Sequence, residues 1–242
     1  MIKTVLYFTY VAVSMVFFTP FGIVAFLISL LGFRKPMTAV LRSIETGWGR
    51  FVIKLTGCEL TVSGRENIPR EGGVCFVSNH GSIFDIALFL AYSGRVIGFV
   101  AKKELAFIPF LNIWIFILGG QFIDRKNPRQ AIKIFNKGVE NIKAGGAMII
   151  FPEGHRSRGR GLLPFHPGAL KLATQAETVI VPVALSGTYE IFEKNYRVSP
   201  GPVKITFCKP INTADLPVTD RKQILSDQIF DTIQKTLNSA PT

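Results

Sequence analysis

Between Val5 and Phe33 the chain carries no charged side chain. A continuous helix of that length would measure roughly 43 Å, more than the ~30 Å hydrocarbon core of a bilayer. Pro20 and Gly22 fall inside the run, so a kinked or broken helix is expected. The run is too long for a secretory signal and has no clear small-residue cleavage site. Arg34 and Lys35 follow at once, which places this end on the cytoplasmic side. From Pro36 the pattern becomes amphipathic. Met37, Val40, Leu41, Ile44, Trp48, Phe51, Val52 and Leu55 recur at three- and four-residue spacing, with Arg42, Glu45, Arg50 and Lys54 opposite and Gly57 at the end. Together the two segments read as a helical hairpin, residues 1–57, held in one leaflet with Trp48 at the interface; a full span of the bilayer, or an ordinary core helix for the second segment, are the competing readings.

Such an anchor suits the composition. Hydrophobic residues make up 48% of the 242, yet the net charge is +12. Apolar and basic together point to an anionic membrane surface, an anionic substrate, or both, and argue against nucleic acid as the partner. Cys58, Cys75 and Cys208 are odd in number, lack metal-ligand spacing and sit in strand-like runs. They read as reduced, buried thiols.

From Cys58 onward, short β-branched runs alternate with helical ones. Strands are expected near 60–62, 74–77, 96–101, 121–123, 148–151, 179–185 and 203–207. Helices are expected near 83–92, 109–118, 128–143, 168–175 and 219–237. The alternation implies a single α/β domain over residues 58–242, with a mostly parallel or mixed sheet of about seven strands covered by helices. Ligands of such sheets bind beyond the carboxyl ends of the strands.

Asn79-His80-Gly81-Ser82-Ile83-Phe84-Asp85 lies at one of these ends, between an apolar strand and an apolar helix. Across a strand–turn–helix junction, His80 and Asp85 can meet as a general base with its orienting carboxylate. Ser82-x-x-Asp85 alone would equally serve as a capping box, with His80 a turn residue. Other strand ends deliver cations: Lys102-Lys103, Arg125 after Phe122-Ile123-Asp124, and Arg156 in Phe151-Pro152-Glu153-Gly154-His155-Arg156-Ser157. Guanidinium forks and turn amides suit a phosphate, although each segment alone would pass for a solvated basic loop. No histidine pair stands at metal-ligand spacing, so no metal is expected, and His166 reads as a loop residue.

Asn79-His80-x-Ser82-x-x-Asp85, Phe122-Ile123-Asp124-Arg125, Phe151-Pro152-Glu153-Gly154-x-Arg156-Ser157 and Val181-Pro182-Val183 resemble, in order, the four motifs of the glycerolipid acyltransferases. The similarity is greatest to the bacterial 1-acyl-sn-glycerol-3-phosphate acyltransferases. The resemblance implies transfer of a fatty acyl group from acyl-CoA or acyl-carrier protein to lysophosphatidate, with no cofactor and no covalent acyl-enzyme. His80 would be the base and Asp85 its partner. Arg125, Glu153, Gly154 and Arg156, with Lys102, would bind the acceptor's phosphate, and Asn79, Ser82, His155 and Pro182 would support the site. His155 departs from the pattern, which has a small hydroxyl residue there. The product is a membrane lipid, so an inner or plasma membrane location with a cytoplasmic catalytic domain follows. Glycerol 3-phosphate, lyso-ornithine lipid or another lysolipid as acceptor, or a non-catalytic membrane-surface protein, are the competing readings.

Overall fold

The computed structural model describes residues 1–124, 127–166, 168–213 and 221–239. Two long helices open the chain, α1 (Ile2–Leu30) and α2 (Arg34–Thr56). The sheet strands are β1 (Glu59–Ser63), β2 (Val74–Ser78), β3 (Ile97–Lys102), β4 (Gln121–Ile123), β5 (Ala147–Ile150), β6 (Val179–Ser186), β7 (Pro202–Phe207) and β8 (Ile211–Asn212). Between or after them lie α3 (Phe84–Tyr92), α4 (Leu111–Ile117), α5 (Pro128–Lys143), α6 (Lys171–Ala176), α7 (Thr188–Ile191) and α8 (Arg221–Asn238). The strand order is β1-β7-β6-β2-β5-β3-β4, with the short β8 alongside β6. β2 to β6 run parallel to one another, while β7 and β8 are antiparallel to β6. The sheet is thus mixed, as the alternation of strand and helix patterns implied. The two-residue β8 and the single-turn α7 carry no periodicity and were not expected.

Side-chain alternation divides the sheet into two apolar faces. Val74 and Phe76 of β2, Ala147 and Ile149 of β5, and Val181 and Val183 of β6 share one core with Leu88 and Phe89 of α3 and Val52 and Ile53 of α2. Cys75 and Val77, Met148 and Ile150, and Ile180 and Ala184 face the other core, with Ile142, Leu172, Leu225 and Ile229 of α5, α6 and α8. Burial pushes the Cys75 thiol far above its ordinary range, which makes it inert packing.

The amino-terminal hairpin forms, but two expectations about it change. Pro20 lies inside an unbroken α1. Gly22 lets Trp114 approach: a Cβ there would lie 2.9 Å from the indole ring. The second change concerns α2. It buries Leu41, Glu45, Gly49, Val52, Ile53 and Thr56. A Cβ on Gly49 would stand 2.9 Å from the Ala91 nitrogen, so the bare glycine brings α2 against the backbone of α3. Much of the stripe assigned to a membrane face is therefore core, and Glu45, assigned to the polar face, is buried. Trp48 is half-buried and donates to Ser14 Oγ at 2.8 Å rather than standing free at an interface.

On α1 the usual arrangement is inverted. Ser14, Thr19, Gly22 and Ala25 face inward, while Val13, Phe17, Phe21, Val24 and Leu27 are exposed. Both of the chain's tryptophans donate to its hydroxyls, Trp114 to Thr19 Oγ1 at 3.1 Å and Trp48 to Ser14. By length and composition α1 is able to cross a membrane.

Candidate active site

Because β2 to β6 are parallel, their carboxyl ends emerge along one edge of the sheet, where the candidate residues gather. Asn79, the first residue past β2, extends the ladder with its side chain. Its Nδ2 donates to the Leu185 carbonyl and its Oδ1 accepts from the Leu185 amide, both at 2.8 Å. This clamp ends the strand and sends His80 into the turn. Pro182 itself lies buried within β6, opposite Val77, and shapes the site only through this strand.

His80 Nδ1 lies 2.7 Å from Asp85 Oδ2. The same oxygen accepts from the Gly81 amide at 2.8 Å and the Ser82 amide at 2.9 Å. One carboxylate oxygen thus serves both the His80 ring and the Ser82 amide of the capping pattern. An acceptor-only carboxylate makes Nδ1 the donor, so Nε2 is the ring nitrogen left for the cavity. The ring lies flat on Phe151, with centroids 4.0 Å apart and planes 19° from parallel. The His80 peptide is pinned on both sides: its amide donates to Glu153 Oε1 at 2.7 Å, and its carbonyl accepts from the Ser157 amide at 2.7 Å.

Glu153 therefore differs from a phosphate ligand. It is buried, and its second oxygen accepts from the Leu163 amide at 3.1 Å. Burial raises its pKa, with the two amide bonds pulling the other way. Its place is behind the site, tying the loop after β5 to the His80 turn.

Glu193, which sequence reasoning missed, has a similar place. It follows α7 and is buried. One oxygen accepts from Ser82 Oγ at 2.6 Å; the other accepts from the Ile83 amide at 2.7 Å and Arg156 Nη1 at 3.0 Å. Ser82 Oγ in turn accepts from the amide of Phe84, the first residue of α3. Glu193 thus aims one guanidinium nitrogen and holds the turn that carries His80 and Asp85.

In front of these groups is a cavity of about 1390 Å³. Its depth is largely apolar, bounded by residues such as Val11, Met15, Phe84, Leu90, Leu111 and Trp114, with buried Glu45 among them. Its mouth carries His80, Lys102, Gly154, His155, Arg156 and His166, joined by Arg158 and Arg160, which sequence reasoning had passed over. Lys102 also pairs with Glu104 at 3.3 Å. Gly154 has φ +71°, and a Cβ there would stand 2.7 Å from the His166 ring, so this turn needs glycine. His155 is exposed at the rim. Arg125 lies outside the described residues. Among the described residues no cluster of His, Cys, Asp and Glu is able to hold a metal ion.

An imidazole with an oriented Nε2, an apolar cavity and a cationic mouth can deprotonate an alcohol that carries an anionic group, next to a long apolar chain. Comparison with known proteins points the same way. Residues 59–186 match the family model described as Acyltransferase. A 1-acyl-sn-glycerol-3-phosphate acyltransferase of Saccharomyces cerevisiae is 35% identical over 76% of this chain and 63% of its own length. One from Borreliella burgdorferi is 35% identical over 58% of this chain and 56% of its own. The chain thus spans 63% and 56% of the length of these two curated relatives. The crystal structure of the 1-acyl-sn-glycerophosphate (LPA) acyltransferase PlsC from Thermotoga maritima has the same fold. Its TM-score is 0.86 at 24% identity, covering 100% of this chain and 97% of that one.

Proposed function

The chain belongs to the acyltransferase family, and from that premise we propose that it moves a fatty acyl group from a thioester to the free hydroxyl of 1-acyl-sn-glycerol 3-phosphate, giving phosphatidate. The observation that carries this reading is the His80–Asp85 pair, 2.7 Å apart, at the head of a cavity that is apolar in its depth and cationic at its mouth. The relatives named for this reaction support the same acceptor.

The chemistry needs only a base and a thioester. His80 Nε2 takes the hydroxyl proton as the alcohol oxygen bonds to the thioester carbon. Asp85 stabilises the imidazolium so formed. When the tetrahedral centre collapses, the carbon–sulfur bond breaks and the departing sulfur takes that proton from His80, leaving a free thiol and an ester. The thioester is already activated, so no acyl-enzyme intermediate is required. Arg156, Lys102 and the Gly154 turn bind the acceptor's phosphate, with Arg125 as the fourth contact. The acyl donor is acyl-CoA or acyl-carrier protein. Residues 1–57 hold the enzyme in one leaflet of the inner or plasma membrane, and residues 58–242 do the chemistry on the cytoplasmic side. The inverted surface of α1, small groups inward and bulky apolar groups outward, supports that attachment.

An acceptor panel tests the reading. Purified enzyme is given lysophosphatidate, glycerol 3-phosphate or a lyso-ornithine lipid, each with acyl-CoA and with acyl-carrier protein, and thiol release is followed. Release fastest with lysophosphatidate is expected. Preference for another acceptor would move the enzyme to a sister reaction, and no release with any acceptor would reject catalysis.

A further inference from the structure

The segment between β3 and α4 carries a tight, strained turn. A short 3-10 turn, Lys103–Phe107, leads to Pro109, and Leu111 N then donates to the Pro109 carbonyl at 2.8 Å. That two-residue closure is a γ-turn, with Phe110 at its centre at φ 64° and ψ −42°. A bulky residue at positive φ is strained, and strain persists where surrounding structure holds it for a purpose. Here it accompanies apolar side chains turned outward: Phe107 is 82% exposed, and Phe116, on the helix that follows, 60%.

This apolar surface does not stand alone. Phe116 packs on Phe26 of α1, with ring centroids 5.4 Å apart. Trp114 of the same helix is fastened to α1 through Thr19. The exposed face of α1 therefore continues onto α4, the helix that the turn enters. Lys102 and Lys103 begin the segment, paired with Glu104 at 3.3 Å and Asp124 at 2.6 Å, in a chain of net charge +12. An apolar surface on a chain of that net charge suits the headgroup–acyl boundary of an anionic bilayer.

We propose that the Phe107–Phe116 segment is a second membrane contact, seated in the lipid beside α1. Leu111 and Trp114 line the cavity from the same segment, and Val11 and Met15 line it from α1. The cavity therefore lies between the two membrane contacts. The inference rests on the membrane-borne acceptor of the proposed function, and lipid is the occupant to which it commits.

The test uses the full chain in phosphatidylglycerol–phosphatidylethanolamine vesicles. Phe107→Cys in a Cys58→Ser background is labelled with an environment-sensitive fluorophore, and Lys209→Cys serves as the control. Nitroxide-bearing lipids should quench the label at 107 and leave that at 209 unaffected. In parallel, Phe107→Ser should bind vesicles about tenfold more weakly, with unchanged turnover of a short-chain, water-soluble acceptor. Equal quenching at the two positions, or unaltered vesicle binding by Phe107→Ser, would overturn the proposal. So would self-quenching between labelled copies in place of lipid quenching, which would make this face a contact between two chains. Quenching reports insertion without turnover, so intact insertion with no acyl transfer would overturn only the function.

Discussion

A histidine whose Nδ1 is held 2.7 Å from a buried carboxylate has its other nitrogen free for the base role proposed for it, and its neighbours keep that ring in place. His80→Ala should leave a folded protein whose turnover falls by ~10²–10⁴-fold; thiol release measured beside a thermal melt checks both halves. Glu193 makes a finer test. Glu193→Ala removes three partners at once, from Ser82, Ile83 and Arg156. A loss of about 1.5–3 kcal/mol is expected for a bond to a charged group, together with a higher acceptor KM as Arg156 loses its aim. Glu193→Gln should recover much of the stability and less of the KM, since its one carbonyl oxygen still accepts from the Ile83 amide and its NH2 donates to Ser82 Oγ, but the charge is lost. Equal KM for wild type and both variants would reject the aiming role. His80 and Asp85 were legible in the sequence because their pairing is local, across one turn. Glu193 was not: it meets Ser82 from 111 residues away, and only the topology of β6 and α7 brings them together. Phe151 was legible as part of a motif, but its stacking under the imidazole depends on β5 lying next to β2.

At the scale of elements, α2 shows where periodicity misleads. A helical stripe reveals which residues are apolar but not how wide a face its neighbour covers. Gly49 draws α2 so close to α3 that the contact spreads past the stripe and takes Glu45 inside. Its Oε1 accepts from the Ile97 amide at 3.2 Å, while Oε2 has no partner among the described residues. Burial raises the Glu45 pKa well above its ordinary value of 4.5, with the Ile97 bond pulling the other way. The sign follows from linkage. The folded state favours protonated Glu45, so this group's contribution is fully present below pH 4.5 and is lost as pH rises through the raised pKa. Wild type should therefore lose melting temperature with rising pH over that window, and Glu45→Gln should flatten the slope. Parallel slopes for the two proteins would show that Glu45 ionises freely. On α1, Gly22→Leu should drive the side chain into the Trp114 ring and cost about 1–3 kcal/mol by overpacking; a chemical denaturation curve reads it directly.

For the molecule as a whole, two forces should fasten it to lipid, and salt separates them. The surplus of cations, +12 in all, attracts an anionic surface by a force that fades over a Debye length of about 10 Å at 0.1 M salt and about 3 Å at 1 M. The apolar surface of α1 and its neighbouring turn loses nothing to screening. Binding to anionic vesicles should therefore weaken as salt rises from about 0.1 M to about 1 M, then level off at a residual affinity close to that for zwitterionic vesicles. Vesicle co-sedimentation across a salt series measures both parts. Affinity that falls to nothing at high salt would make the attachment purely electrostatic, and α1 would then need another protein or a second copy to cover it. Affinity indifferent to salt would instead leave the cations to the substrate. In that case their role is confined to the cavity mouth, where Lys102, Arg156, Arg158 and Arg160 stand around the same opening as His80.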